Sequence, residues 1–174
     1  MDRGRRPIAR TAEGDIEIID QTALPHRSVT RRLASLADAA EAIEAMRVRG
    51  APLIGATAAH GMALAAAADP SDAGLAAAHA RLAATRPTAI NLRWALDRMA
   101  AHLLPLPESD RAAAARAEAD AITEEDVEIC AAIGRHGLEI FRRILAAKPE
   151  GSRLNVLTHC NAGRLATVDW GTAT

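Results

Sequence analysis

The spacing of apolar positions changes character along the chain, and each change predicts a different kind of element. Near the amino-terminal end they alternate: Ile8-Ala9-Arg10, a turn at Glu13-Gly14-Asp15, then Ile16-Glu17-Ile18-Ile19. A period of two on either side of a turn predicts a hairpin with one buried face. A third extended piece is expected from Ser28 to Leu33, after Leu24-Pro25-His26, which makes a small antiparallel sheet. From Ser35 the period becomes helical, with Leu36, Ala39, Ile43 and Met46 on one face and Ser35 as N-cap.

Four more helices follow from the same reading. The second runs from Pro52 to about Ala68 and the third begins after Ser71, with Pro70 between them. Leu92, Leu96, Met99 and Leu103 form the stripe of a fourth, stopped by Leu104-Pro105-Leu106-Pro107. A long fifth spans Ser109 to Ala147, its apolar face carried by Ile122, Ile129, Ile133, Ile140 and Ile144. Gly134 and Gly137 interrupt it, each at a cost of up to about 1 kcal/mol against alanine, which predicts a closely approaching neighbour. Lys148-Pro149-Glu150-Gly151-Ser152 then breaks the helical pattern, and Leu154 to Thr158 reads as a strand entering a small-residue turn and the start of a helix. The predicted organisation is therefore an α+β domain over 1–148, a small antiparallel sheet plus helices. The first strand and helix start of an incomplete, Rossmann-like α/β domain follow over 152–174.

Composition narrows the function classes. Of 174 residues 49% are hydrophobic and 25% charged, with 21 basic against 22 acidic, so no broad basic surface predicts nucleic acid or an anionic membrane as partner. Bound anions must then be held locally. The longest uninterrupted apolar run, Met62 to Ala68, is far short of the roughly 20 residues of a membrane span. The basic opening MDRGRRPIAR is not followed by the apolar core of a secretory signal. Its arginines fit a solvated first strand. Two cysteines, Cys130 and Cys160, in no zinc-like spacing, fit a reducing cytoplasm.

Three segments join small or rigid residues to a predicted helix start. In Arg49-Gly50-Ala51-Pro52 the proline suits the first helical position, the glycine allows close backbone approach, and free N–H groups sit beside a guanidinium. That is the local chemistry of a phosphate site. Arg86-Pro87-Thr88 repeats the device ahead of the fourth helix. Thr158-His159-Cys160-Asn161-Ala162-Gly163 delivers a strand end to a small-residue turn, where open α/β sheets bind ligands. Cys130 is assigned to the core, and the carboxylates at 124–126 to a solvated helix face.

Read in order, Arg49-Gly50-Ala51-Pro52, TRPTAINLRWALDRM at 85–99, EDVEICAAIGRHGLEI at 125–140 and LTHCNAG at 157–163 resemble the S-methyl-5-thioribose-1-phosphate isomerase family. That family lies within the translation-initiation-factor-2B-like superfamily. IIDQTALPHR at 18–27 is similar to its N-terminal sheet. The resemblance implies conversion of an aldose 1-phosphate to the ketose 1-phosphate in methionine salvage, with no metal or organic cofactor. It implies a small-molecule sugar phosphate as partner, a homodimer in the full-length form, and no nucleic acid or membrane. Carried over residue by residue, it puts Cys160 at the reacting centre, as transition-state stabiliser or proton carrier. Arg49, Gly50, Ala51 and Arg86 then bind substrate, with Asn161, Ala162 and Gly163 lining the same turn. The family's catalytic aspartate is expected beyond Thr174, and Asp169 does not match it, so the chain alone is expected to be inactive. Two alternatives remain open at this stage. One is a regulatory or metabolite-sensing protein like the alpha, beta and delta subunits of initiation factor 2B. The other is an isomerase of ribose 1,5-bisphosphate or 5-deoxyribose 1-phosphate.

Overall fold

The computed structural model describes residues 5–173, so Arg3 of the basic amino-terminal run lies outside the described residues. Three short strands, β1 (Ile8–Arg10), β2 (Ile16–Ile19) and β3 (Thr30–Leu33), form an antiparallel sheet in the order β1-β2-β3. The register pairs Ile8 with Ile18 and Ile16 with Leu33. All four side chains fall on the buried face, as the two-residue alternation requires.

Five helices follow: α1 (Leu36–Glu44), α2 (Ala51–Ala68), α3 (Asp72–Ala83), α4 (Ile90–Leu103) and α5 (Glu108–Ala146). Ser35 caps α1, its hydroxyl accepting from the Asp38 N–H at 3.2 Å while the Asp38 carboxylate accepts from the Ala34 N–H at 2.9 Å. This reciprocal cap satisfies donors that the first turn leaves open. Ser35→Ala is expected to cost about 1 kcal/mol, a drop of about 2–4 °C in melting temperature for a chain of this size, read by thermal unfolding.

Helix α2 is the centre of the fold. Thirteen of its eighteen residues are buried, and it packs on α1, α3, α4 and α5, which is the place for a helix apolar on nearly every side. Alanine and glycine make this crowding possible. A Cβ on Gly61 would stand 2.9 Å from the Ala39 methyl and 3.2 Å from Leu82, so α1 and α3 reach the α2 backbone only because that position is bare. Leu92, Leu96, Met99 and Leu103 of α4 are all buried, as their spacing predicts.

Charged side chains tie the helices at their ends. Arg98 of α4 donates to Glu118 at 2.6 Å and Glu125 at 2.5 Å on α5. Arg111, almost fully buried, donates to the carbonyls of Pro70, Leu104 and Leu106. Two of those carbonyls lie where α4 ends and its last C=O groups lack helical partners.

The structure departs from expectation in four places. Helix α1 stops at Glu44, and Met46 turns out to solvent with φ 55°, because Arg47 and Val48 fold back to donate to the Ala42 carbonyl. The second half of α5 projects from the body: Ile129, Ile133, Ile140 and Ile144 are exposed, and nothing approaches a Cβ built on Gly137. The strand expected at 154–158 does not form. No strand among the described residues lies beside it, and Leu157 is 98% exposed. Where a helix was expected after the cysteine turn, a single 3-10 turn, Arg164–Ala166, forms instead.

Candidate functional site

The segment after Cys160 does not trail into solvent. Ala162, Ala166, Thr167, Val168, Asp169 and Gly171 are buried, and Val168 joins the hydrophobic core. It closes on itself through a bridge between Gly163 and Gly171 and a bond from the Thr172 N–H to the Ala162 carbonyl at 2.8 Å. It is anchored from three directions. Asp126 of α5 accepts from the Val168 N–H at 2.8 Å. Gln21, just past β2, donates its side-chain amide to the Leu165 carbonyl at 2.6 Å. Gly50, the N-cap of α2, meets the Ala166 backbone so closely that a Cβ there would overlap it.

This docking forms a pocket of about 300 Å³ lined by Gln21, Arg49, Cys160, Asn161, Ala162, Gly163, Leu165 and Ala166. Five of the residues expected from the motifs therefore meet here, although 111 residues separate Arg49 from Cys160 in the chain. Cys160 is exposed and its backbone takes the left-handed conformation, φ 68°. For a non-glycine residue that is a sparsely populated region of the kind that clusters at functional sites. The Arg49 guanidinium is exposed and has no ion-pair partner among the described residues. A solvent-facing cation and an exposed thiol thus share one concave wall. No carboxylate lines it among the described residues.

The other expected residues lie apart. Gly50 is turned to Ala166 rather than to open space. Ala51 is exposed at the first turn of α2. Arg86 lies half-buried in the turn before α4, where its carbonyl accepts from the Ala89 N–H, and does not line the pocket. Gln21, Leu165 and Ala166 were not among the expected residues. Gln21 stood inside the IIDQTALPHR motif, but its reach to a segment 144 residues later has no local signal.

Neighbouring charged groups hold the wall in place. Asp169 pairs with Arg164 at 3.0 Å and Arg6 at 3.8 Å. Burial pushes its carboxyl up, but the Trp170 N–H and Arg164 outweigh this and hold it below the usual range. Asp126 goes the other way, raised by burial that its bonds to the Val168 N–H and the Cys130 thiol only partly oppose. The Cys130 thiol is itself pushed up, by burial first and then by Asp126, as suits a core thiol. His136 is exposed on α5, and His79 and His102 pair with Asp97 and Glu118. Among the described residues no three His, Cys, Asp or Glu side chains converge as a metal centre would need.

A model of the initiation factor 2 subunit family matches residues 47–169, which includes every element of the pocket wall except Gln21. The chain belongs to that family. Its relatives include the methylthioribose-1-phosphate isomerase of Rhodospirillum centenum, 61% identical over 171 residues, covering 98% of this chain and 45% of the relative. The enzyme of the same name from Methylorubrum extorquens is 62% identical, with 98% and 47% covered. Two solved structures match with a TM-score of 0.79 and 36% identity. One is translation initiation factor eIF-2B subunit delta from A. fulgidus, with 97% of this chain and 48% of that one covered. The other is 5-methylthioribose 1-phosphate isomerase from Pyrococcus horikoshii, with 97% and 47% covered. The chain thus spans about half the length of the relatives it matches.

Proposed function

We propose that this chain carries one wall of an aldose-ketose isomerase site that converts 5-methylthioribose 1-phosphate to 5-methylthioribulose 1-phosphate in methionine salvage. The observation that carries the reading is the convergence of Arg49 with Cys160, Asn161, Ala162 and Gly163 on one pocket, in a chain 61% identical to proteins named for that activity. The solved structures do not separate isomerase from initiation factor, since each is 36% identical. The relatives at 61% and 62% identity are both named isomerases. The same kinship supports a homodimer in the full-length form and a cytoplasmic location. In this reading 1–148 is the sheet-plus-helices domain and 152–174 opens an α/β catalytic domain.

The chemistry asks for this pairing of groups. The phosphate on the anomeric oxygen blocks the simple ring opening of free aldoses, so the enzyme must break the C1–O ring bond with the ester in place. One hydrogen passes from C2 to C1, the C2 hydroxyl becomes a ketone, and its proton ends on the released ring oxygen; no atom is gained or lost. Arg49 offers a planar fork of donors to the dianionic phosphate, beside the unpaired N–H groups at the start of α2. Arg86 supplies a second cation when substrate spans to α4. Cys160 stands at the sugar carbons, to carry a proton or stabilise developing charge. Among the described residues no carboxylate lines the pocket wall, so in this reading the carboxylate partner comes from outside them and the 174-residue chain alone is expected not to turn over.

The test is protection of a thiol. Cys160 is exposed and Cys130 buried, so iodoacetamide should alkylate Cys160 first, and 5-methylthioribose 1-phosphate should slow that reaction. Arg49→Ala should abolish the slowing. Equal alkylation with and without the sugar phosphate, or robust turnover by the purified chain, would contradict the reading.

A further inference from the structure

Gln21 links three segments that the pocket needs held together. Its backbone N–H donates to the Arg47 carbonyl at 2.9 Å, two residues before Arg49. The adjoining Asp20 is almost fully buried and accepts from the Thr22 N–H and hydroxyl, from Arg31 at 2.5 Å and from Arg47 at 2.8 Å. The main chain at 20–22 is thereby fixed against the strand of chain that leads into Arg49. From this fixed base the Gln21 side chain reaches the Leu165 carbonyl at 2.6 Å, five residues past Cys160, and lines the pocket itself. One amide N–H donates there, and the side-chain oxygen has no hydrogen-bond partner among the described residues.

We propose that Gln21 is a positioning residue for the sugar-phosphate site: it sets the distance between the Arg49 guanidinium and the Cys160 turn. Gly50 and Asp126 hold the docked segment through Ala166 and Val168. Gln21 holds it at Leu165, by a hydrogen bond between two residues of the pocket wall. Without its donor the Leu165 carbonyl turns to water, and the turn gains the freedom that a short exposed loop otherwise has. Ligand that bridges Arg49 and Cys160 must then order the turn itself, and binds less tightly by that amount.

The inference rests on the isomerase-site reading, and the experiment separates the two. Gln21→Met keeps the length of the side chain and removes the donor. In the 174-residue chain it should raise amide exchange at Ala166 and Thr167 at least tenfold and leave the middle of α2 and α5 unchanged. The concentration of 5-methylthioribose 1-phosphate that half-protects Cys160 from iodoacetamide should rise about tenfold, with Cys130 equally inert in both proteins. Gln21→Glu adds a built-in rescue: as carboxylate it repels the Leu165 carbonyl, and as the protonated acid it donates to it. The ratio of its exchange at Ala166 and Thr167 to that of the wild type at the same pH should therefore fall toward one between pH 7 and pH 4, a profile no loss of packing would produce. Faster exchange with unchanged half-protection would make Gln21 a structural tie only and overturn the proposal. So would unchanged exchange in both variants. Absence of any protection in the wild-type chain would instead overturn the sugar-phosphate reading.

Discussion

Gly50→Ala is expected to release residues 162–172 from the helical body while the five helices stay folded. Gly50 has φ 102° and ψ 140°, an extended positive-φ conformation that costs an L-residue about 1–3 kcal/mol. Its missing Cβ is also the space occupied by the Ala166 carbonyl, Cα and methyl. Backbone cannot swing aside as a long side chain can. The docked segment has little reserve against this, because ordering each of its residues costs about 1 kcal/mol or more and most of its length is turn. A penalty of about 3 kcal/mol would raise exchange of the Val168 N–H, which is bonded to Asp126, by more than a hundredfold. Amides in the middle of α2 should keep their protection. Cys160 would then leave Arg49, and sugar-phosphate protection of the thiol would vanish with the docking. Unchanged protection at Val168 would show that the close approach at Gly50 does not hold the segment.

The helices were legible because they are amphipathic or bounded by strong signals. Ser35 caps as expected, and Ser71, after which the third helix was expected, caps it too, each accepting from the N–H three residues on. Pro70 and the Leu-Pro-Leu-Pro run fall between helices. What periodicity does not say is where an apolar face finds its cover. The isoleucines of α5 keep to one helical face throughout, at spacings of seven and four, yet Ile122 is buried while Ile129 and Ile140 are 58% and 50% exposed. The helix outruns the body it packs on. The same limit explains 154–158, whose residue types suit a strand but whose ladder needs a neighbour that the described residues do not supply.

The site was legible in its chemistry and not in its support. Arg49 and the Cys160 turn stand out as motifs, and the fold brings them to one pocket. The groups that hold them there carry no such mark. Asp126 looks like part of a solvated acidic face, yet it is half-buried and bonded to the Val168 N–H. Asp169 looks like a spare carboxylate and is an ion-paired anchor. Gly50 was assigned to approach by a ligand, and what approaches it is Ala166. Each of these depends on contacts between residues far apart in the chain.

Stability of this chain is expected to fall by about 3 kcal/mol between pH 6.5 and pH 4 on account of His60 alone. Thr123 donates its hydroxyl to the Ala119 carbonyl at 2.8 Å, so at 3.0 Å it accepts from His60 Nε2–H. That leaves Nδ1 as a bare acceptor, buried and without a partner among the described residues. A proton on Nδ1 would place a charge in the core. Burial therefore pushes His60 down to about 4; Asp120 opposes this and Arg10 adds to it. As pH falls through 6.5 the unfolded chain takes up the proton first, so the stability present above 6.5 is lost progressively until about pH 4, where the folded form also protonates. A gap of about 2.5 pH units corresponds to about 3 kcal/mol. Asp20 acts in a separate window: burial alone would raise its carboxyl, but Thr22, Arg31 and Arg47 hold it at about 2, so its contribution fades only below 3.8. Urea midpoints at pH 7, 5.5 and 4 should fall steadily for the wild-type chain. His60→Gln, which can still donate to Thr123 and does not titrate, should lose most of that slope, and an equal slope in both would assign the acid sensitivity to other groups.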